Sequence, residues 1–173
     1  MKTTVAAATT YPISYQQAKV HLKLDDDSER DSVESLISDA TAFAEADMEN
    51  TLVTRQVTAV YYRDERATKY SLPMGPVVSI TSVKDKANKD VLYEQSVRGV
   101  FTFVTPTDNY DLPLTITYQA GYAVLPSDIR RALLIHVASL YISREVNVKN
   151  LGDEFLYGLR AVYNHYRRSE FVG

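Results

Sequence analysis

Residues 118–132 read YQAGYAVLPSDIRRA, and they contain the junction on which the fold turns. Just upstream, LPLTITYQ (112–119) alternates apolar and polar residues with period two, the pattern of a strand with one buried face. Just downstream, Ser127 stands where a helix N-cap is needed. Ile129, Leu133, Leu134, Val137, Leu140 and Tyr141 then recur on one helical face, predicting a helix to about Glu145. The stretch itself holds no catalytic motif, so its meaning depends on what lies on either side.

Upstream, the period of two extends back a long way. TLVTRQVTAVYYR (51–63) is rich in β-branched and aromatic residues, which suit a pleated, half-buried surface. KYSLPMGPVVSITSVKD (69–85) reads as two short strands around a Pro-Met-Gly-Pro turn, and DKANKD (85–90) as a polar turn. VLYE (91–94) and VRGVFTFV (97–104) continue the series, giving about five or six antiparallel strands between about 52 and 119.

Helices flank this β region. In PISYQQAKVHLKL (12–24), Ser14 is placed to cap a helix with Ala18, Leu22 and Tyr15 on one side, ending near Leu24. After the acidic DDDSERD (25–31), a long amphipathic helix is predicted from about Ser28 to Asn50 by Val33, Leu36, Ile37, Ala40, Phe43, Ala44 and Met48. Beyond the polar link VNVKNLGDE (146–154), Leu156, Leu159, Val162, Tyr163 and Tyr166 keep helical spacing despite Gly158. The fold class expected is therefore α+β. A helical core of two N-terminal and two C-terminal helices carries an inserted antiparallel β region. Residues 1–12 are expected to be a flexible arm and 13–173 a single domain.

Composition narrows the function. A length of 173 residues with 45% hydrophobic content fits one domain that buries a real core. A net charge of −3 argues against non-specific nucleic-acid binding, which needs a basic field to neutralise phosphates. The chain has no cysteine, which removes disulfides, thiol nucleophiles and thiolate metal sites together. MKTTVAAATTY is too short and threonine-broken for a signal segment, and no apolar run approaches a membrane span. Intracellular synthesis is expected.

The sequence offers no catalytic, cofactor or metal motif. The carboxylates Asp25, Asp26, Asp27, Glu29 and Asp31 invite a calcium-loop reading. It fails because Arg30 occupies the sixth position, where glycine is needed, and Leu36 the twelfth, where glutamate is needed. The run reads instead as helix capping and charge at a helix N-terminus. His21, His136 and His165 lie on three different predicted helices without metal-ligand spacing, and His136 reads as a packed or interface residue. Nucleophile-elbow, phosphate-loop and dinucleotide fingerprints are missing.

Two arginine pairs remain. Arg130 and Arg131 stand near a helix N-terminus, where positive charge opposes the macrodipole, which points to a partner contact. Arg167 and Arg168 lie in YNHYRRSEF (163–171), which joins arginines with tyrosines and a phenylalanine, the residue types of interface hot spots. Thirteen tyrosines also suit half-buried interfaces, although strands account for many of them.

The order of elements and two blocks of sequence resemble the head-tail connector (adaptor) proteins of the long-tailed bacteriophages. The first block runs from Ile13 to Leu52. Ala18, Lys19 and Leu22 match the family's first helix, Asp27 and Asp31 its acidic link, Leu36, Ile37, Ala40 and Ala44 its long helix, and Arg55 the residue after it. The second block contains the opening stretch. Gly121, Pro126, Asp128, Ile129, Ala132, Leu140, Tyr141, Arg144 and Glu145 match the family's strand, link and helix. The resemblance implies a structural protein without turnover, located in the virion at the head-tail interface after assembly in the host cytoplasm. It implies a homo-oligomeric ring, commonly twelvefold, that binds the portal protein and extends the DNA channel. It also implies a surface for the next tail or head-completion protein, and DNA that passes without sequence-specific binding. Ring contacts are expected on the long second helix and the β insertion. Portal docking is expected in the C-terminal segment through Tyr163, Tyr166, Arg167, Arg168 and Phe171. A tail-completion or terminator ring protein is the nearest alternative, and a small enzyme that brings a histidine to the acidic run the alternative of another class.

Overall fold

The computed structural model describes residues 1–62, 69–145 and 152–168. The chain divides into two compact units. Among the described residues, one is built from 1–8 and 49–123, the other from 9–48 and 124–168. The β region lies in the first unit and the helices in the second.

Among the described residues the β unit contains seven strands in chain order: β1 (Lys2–Val5), β2 (Arg55–Tyr61), β3 (Tyr70–Ser71), β4 (Val77–Lys84), β5 (Tyr93–Arg98), β6 (Phe101–Pro106) and β7 (Leu114–Ala120). They form a four-stranded antiparallel sheet of order β1-β2-β7-β4 and a three-stranded sheet of order β3-β6-β5. Six of the seven fall in the region where about five or six were expected. The seventh, β1, comes from the segment expected as a loose arm: Lys2 pairs with Val60 and Val5 with Val57.

Strand β7, which leads into the opening stretch, lies inside the larger sheet, and its alternation is strict. Leu114, Ile116, Tyr118 and Ala120 are buried, and the residues between them are half-buried. These four pack with Val57, Ala59, Leu72, Val83 and Val104 in one apolar core. The Pro-Met-Gly-Pro turn is strapped to that core. The Thr51 N–H and the Tyr118 and Gly121 groups all donate to its carbonyls: Thr51 to Gly75 at 2.9 Å, Gly121 to Pro76 at 2.8 Å, and the Tyr118 hydroxyl to Pro73.

Gly121 explains the Ala-Gly-Tyr link. Its φ is +135°, and a Cβ built there would stand 2.3 Å from the Val53 carbonyl oxygen and 2.6 Å from Thr54 Cα. Both the dihedral and the close backbone approach exclude a side chain.

The helical unit contains α1 (Tyr15–Leu22), α2 (Arg30–Met48), α3 (Ser127–Glu145) and α4 (Gly152–Tyr166). Ser14 caps α1 in a full capping box: its hydroxyl accepts the Gln17 N–H, and the Gln17 side chain accepts the Ser14 N–H at 2.9 Å. Lys23, in the left-handed region at φ 58°, ends the helix. The acidic link is paired rather than open. Asp27 accepts from Lys19 at 2.7 Å and from the Tyr15 hydroxyl at 2.9 Å, and Asp26 accepts from the Ser28 hydroxyl at 2.6 Å. These donors, Lys19 before Tyr15, hold the Asp27 carboxyl below the usual range. Val33, Ile37, Ala40, Ala44 and Met48 of α2, with Ile129, Leu133 and Val137 of α3, form the buried faces that the 3.6-residue period predicts.

Candidate interaction surface

The C-terminal part of the helical unit places the predicted contact residues in two different settings. Tyr163 is fully buried, and its hydroxyl lies 3.4 Å from Nδ1 of His136, itself only 4% exposed. Phe43 from α2 stands edge-on to the His136 ring at 5.1 Å. Burial, followed by the nearby Asp47 charge, pushes the Tyr163 hydroxyl far up. Burial alone holds the His136 imidazole below its ordinary value, and therefore neutral at physiological pH. This is a packed aromatic cluster. Arg168 is also buried, and its backbone N–H donates to the Met48 carbonyl at 3.1 Å. Tyr163 thus packs the end of α4 against α2 and α3, and the Arg168 backbone ties the segment after it to the end of α2.

Tyr166 and Arg167 have other surroundings. The Tyr166 hydroxyl reaches both carboxylate oxygens of Asp128, at 2.7 and 2.9 Å, and so clasps the end of α4 to the start of α3. Asp128 also accepts the Ile129 N–H at 2.9 Å. The Tyr166 hydroxyl is the largest cause that holds the Asp128 carboxyl below the carboxylate range. Arg167 is exposed, with its backbone N–H on the Asn164 carbonyl at 3.3 Å. Phe171 lies outside the described residues.

The two arginines of α3 also part company. Arg130 is half-buried and donates through Nη2 to the Leu125 carbonyl at 3.4 Å, so it braces the turn before its own helix. Arg131 is exposed. It stands with Asp128 on the rim of an apolar groove between α3 and α4 that is floored by Ala132, Ile135, Leu159 and Val162, with a volume of about 490 Å3. Gly158 opens that groove, since a Cβ there would meet no atom within 4 Å.

Asp128 is the residue that sequence reasoning undervalued. An acidic residue in a first helical turn is an ordinary dipole partner, and only the fold reveals that a tyrosine 38 positions away closes on it. Among the described residues, no group of three His, Asp or Glu side chains is placed to hold a metal ion. His21 lies on α1, His136 on α3 and His165 on α4, where its ring meets Tyr166 edge-on at 5.0 Å.

The described residues thus form a unit of two antiparallel sheets and a helical unit with an apolar groove and a polar clasp between α3 and α4. The head completion protein family model matches residues 12–152, and the chain belongs to that family. Solved structures share the fold across nearly its whole length. A chain from the neck of an empty gene transfer agent particle, computed with C6 symmetry, has a TM-score of 0.83 at 16% identity, covering 100% of this chain and 98% of that one. A chain from the neck of the native particle, computed with C12 symmetry, gives 0.77 at 17% identity with the same coverage, 100% and 98%. One from the virion of the native particle gives 0.76 at 18%, again over 100% and 98%. At these identities the likeness is one of fold. A comparison with curated protein sequences found no match.

Proposed function

We propose that this chain is a structural head-tail connector of a tailed phage or phage-like particle. It forms a homo-oligomeric ring at the neck, joins the filled head to the tail or to the next completion protein, and performs no chemical turnover. The observation that carries the reading is the family match over residues 12–152. The whole-chain fold likeness to neck components of ring-symmetric particles supports it. The net charge of −3 fits a channel wall past which DNA slides without adhering.

The portal is the partner on the head side, and the C-terminal segment docks there. Tyr166 and Arg167, followed by Phe171, supply the contact, while Tyr163 and Arg168 anchor the helix that presents it. Arg131, exposed beside the groove, extends the same surface, and Arg130 holds the turn beneath it. Ring contacts are heterologous, so each subunit needs two different complementary patches, one on α2 and one on the β unit.

The test is a truncation that removes residues 169–173 and stops beyond Arg168, whose backbone is tied to Met48. The shortened chain should keep the circular-dichroism spectrum and melting temperature of the full chain while losing about tenfold or more in affinity for portal rings. Full portal binding by the truncated chain would remove Phe171 from the docking assignment and leave the connector reading standing.

A further inference from the structure

Among the described residues, the β unit has one edge that is neither short, bulged nor covered. Edge strands are normally kept from pairing with another chain by shortness, bulges or cover. Among the sheet edges, β1 has four residues and β3 two. Strand β4 carries two register shifts, and its end is covered where the Val91 N–H donates to the Val83 carbonyl and Lys84 bridges to Asp90. Strand β5 has six residues, an unbroken register against β6 and no proline. Every residue after Tyr93 is exposed.

The free backbone groups of that edge are identifiable. The Thr107 N–H donates to the Leu92 carbonyl at 2.9 Å, and the β5–β6 register continues to Arg98 opposite Phe101. By the alternation of an antiparallel ladder, Leu92, Glu94, Ser96 and Arg98 bond toward β6, and Tyr93, Gln95 and Val97 point their N–H and C=O groups away from it.

The sequence of this edge, LYEQSVRGV from 92 to 100, is complementary to itself about Ser96. In an antiparallel pairing centred there, Glu94 stands opposite the second copy's Arg98, and Arg98 opposite the second copy's Glu94. Gln95 meets the second copy's Val97, both with outward backbone groups, so about four ladder bonds form. Leu92 and Val100, which are 70% and 62% exposed, meet at each end. Shifting the pairing by one step in either sense sets Glu94 against Ser96 or Val100 and loses every charge pair.

We propose that the free edge of β5 is a homotypic docking site that joins two copies of this chain in an antiparallel, two-fold sheet extension. A two-fold contact does not recur around a cyclic ring. It therefore belongs to the free chain or to two rings set face to face, and it stands independently of the connector reading.

The experiment is sedimentation velocity of the full-length chain over a concentration series. A dimer with a dissociation constant between about 1 µM and 1 mM is expected from so small an interface. Glu94→Arg and Arg98→Glu, each alone, should weaken it about tenfold or more, because each sets like charges opposite one another. The double reversal should restore it, and an equimolar mixture of the two single variants should form the mixed dimer. Gln95→Pro, which removes an outward N–H from an edge position, should abolish it, with circular dichroism confirming an intact fold. A chain that stays monomeric throughout the series overturns the proposal. So does a dimer that neither charge reversal weakens, or one that the double reversal does not restore.

Discussion

At Gly121 a single methyl group is enough to break the junction between sheet and helix. The Val53 carbonyl oxygen stands 2.3 Å from where a Cβ would lie, and both partners are backbone, so neither yields cheaply. Gly121→Ala should lower stability by roughly 1–3 kcal/mol, read as a fall of several degrees in melting temperature. His136 supplies a second test at this scale. Burial depresses its folded-state pKa below 6.5. As pH falls below about 6.5, the unfolded chain therefore binds the proton first, and stability declines. Replacing it with a residue that does not titrate, His136→Gln, should remove that part of the pH dependence of the unfolding midpoint; an unchanged pH profile would count against a neutral buried imidazole. The sequence placed Tyr163 on an apolar helical face and also among hot-spot residue types. Only the fold decides between them, because a tyrosine four residues after Leu159 shares its buried stripe. Arg168 gave no sign of burial at all, since a charged residue just past a helix end is exposed in most proteins.

Among the elements, the helices were legible to within about two residues because their apolar period comes from local sequence alone. The expected range from Ser28 to Asn50 became Arg30–Met48, and the helix expected after a Ser127 cap to about Glu145 runs from Ser127 itself to Glu145. Strand β1 was not legible. KTTV shows no buried alternation, and its conformation is decided by the edge of β2, more than fifty residues away. The clasp between α3 and α4 was hidden for the same reason. It titrates in a defined direction: the Asp128 carboxyl is lowered in the folded chain, so its contribution is present above about 3.9 and lost as pH falls through the lower folded value. In Tyr166→Phe, NMR titration should find the Asp128 carboxyl moved back toward the ordinary range; an unmoved carboxyl would contradict the clasp. On α4, Gly158 faces open space, so Gly158→Ala should stabilise the helix by about 0.5–1 kcal/mol while shrinking the groove. A connector that uses this groove for docking would show the gain in thermal stability together with weaker partner binding.

For the molecule as a whole, the α+β class and the placing of a β region between helix pairs could be read from the change of period near residues 51 and 120. What pattern alone did not provide was the division into two units or the non-sequential order β1-β2-β7-β4, which rests on pairings between strands far apart in the chain. Family membership makes the chain a head completion protein, and the solved neck components share its fold. The most direct measurement is native mass spectrometry of the full-length chain mixed in excess with portal rings from the same particle. The account predicts one discrete complex, a portal ring carrying a complete ring of this chain, with no partial occupancies persisting at saturation. Portal rings whose mass stays unchanged in the presence of excess chain would contradict it.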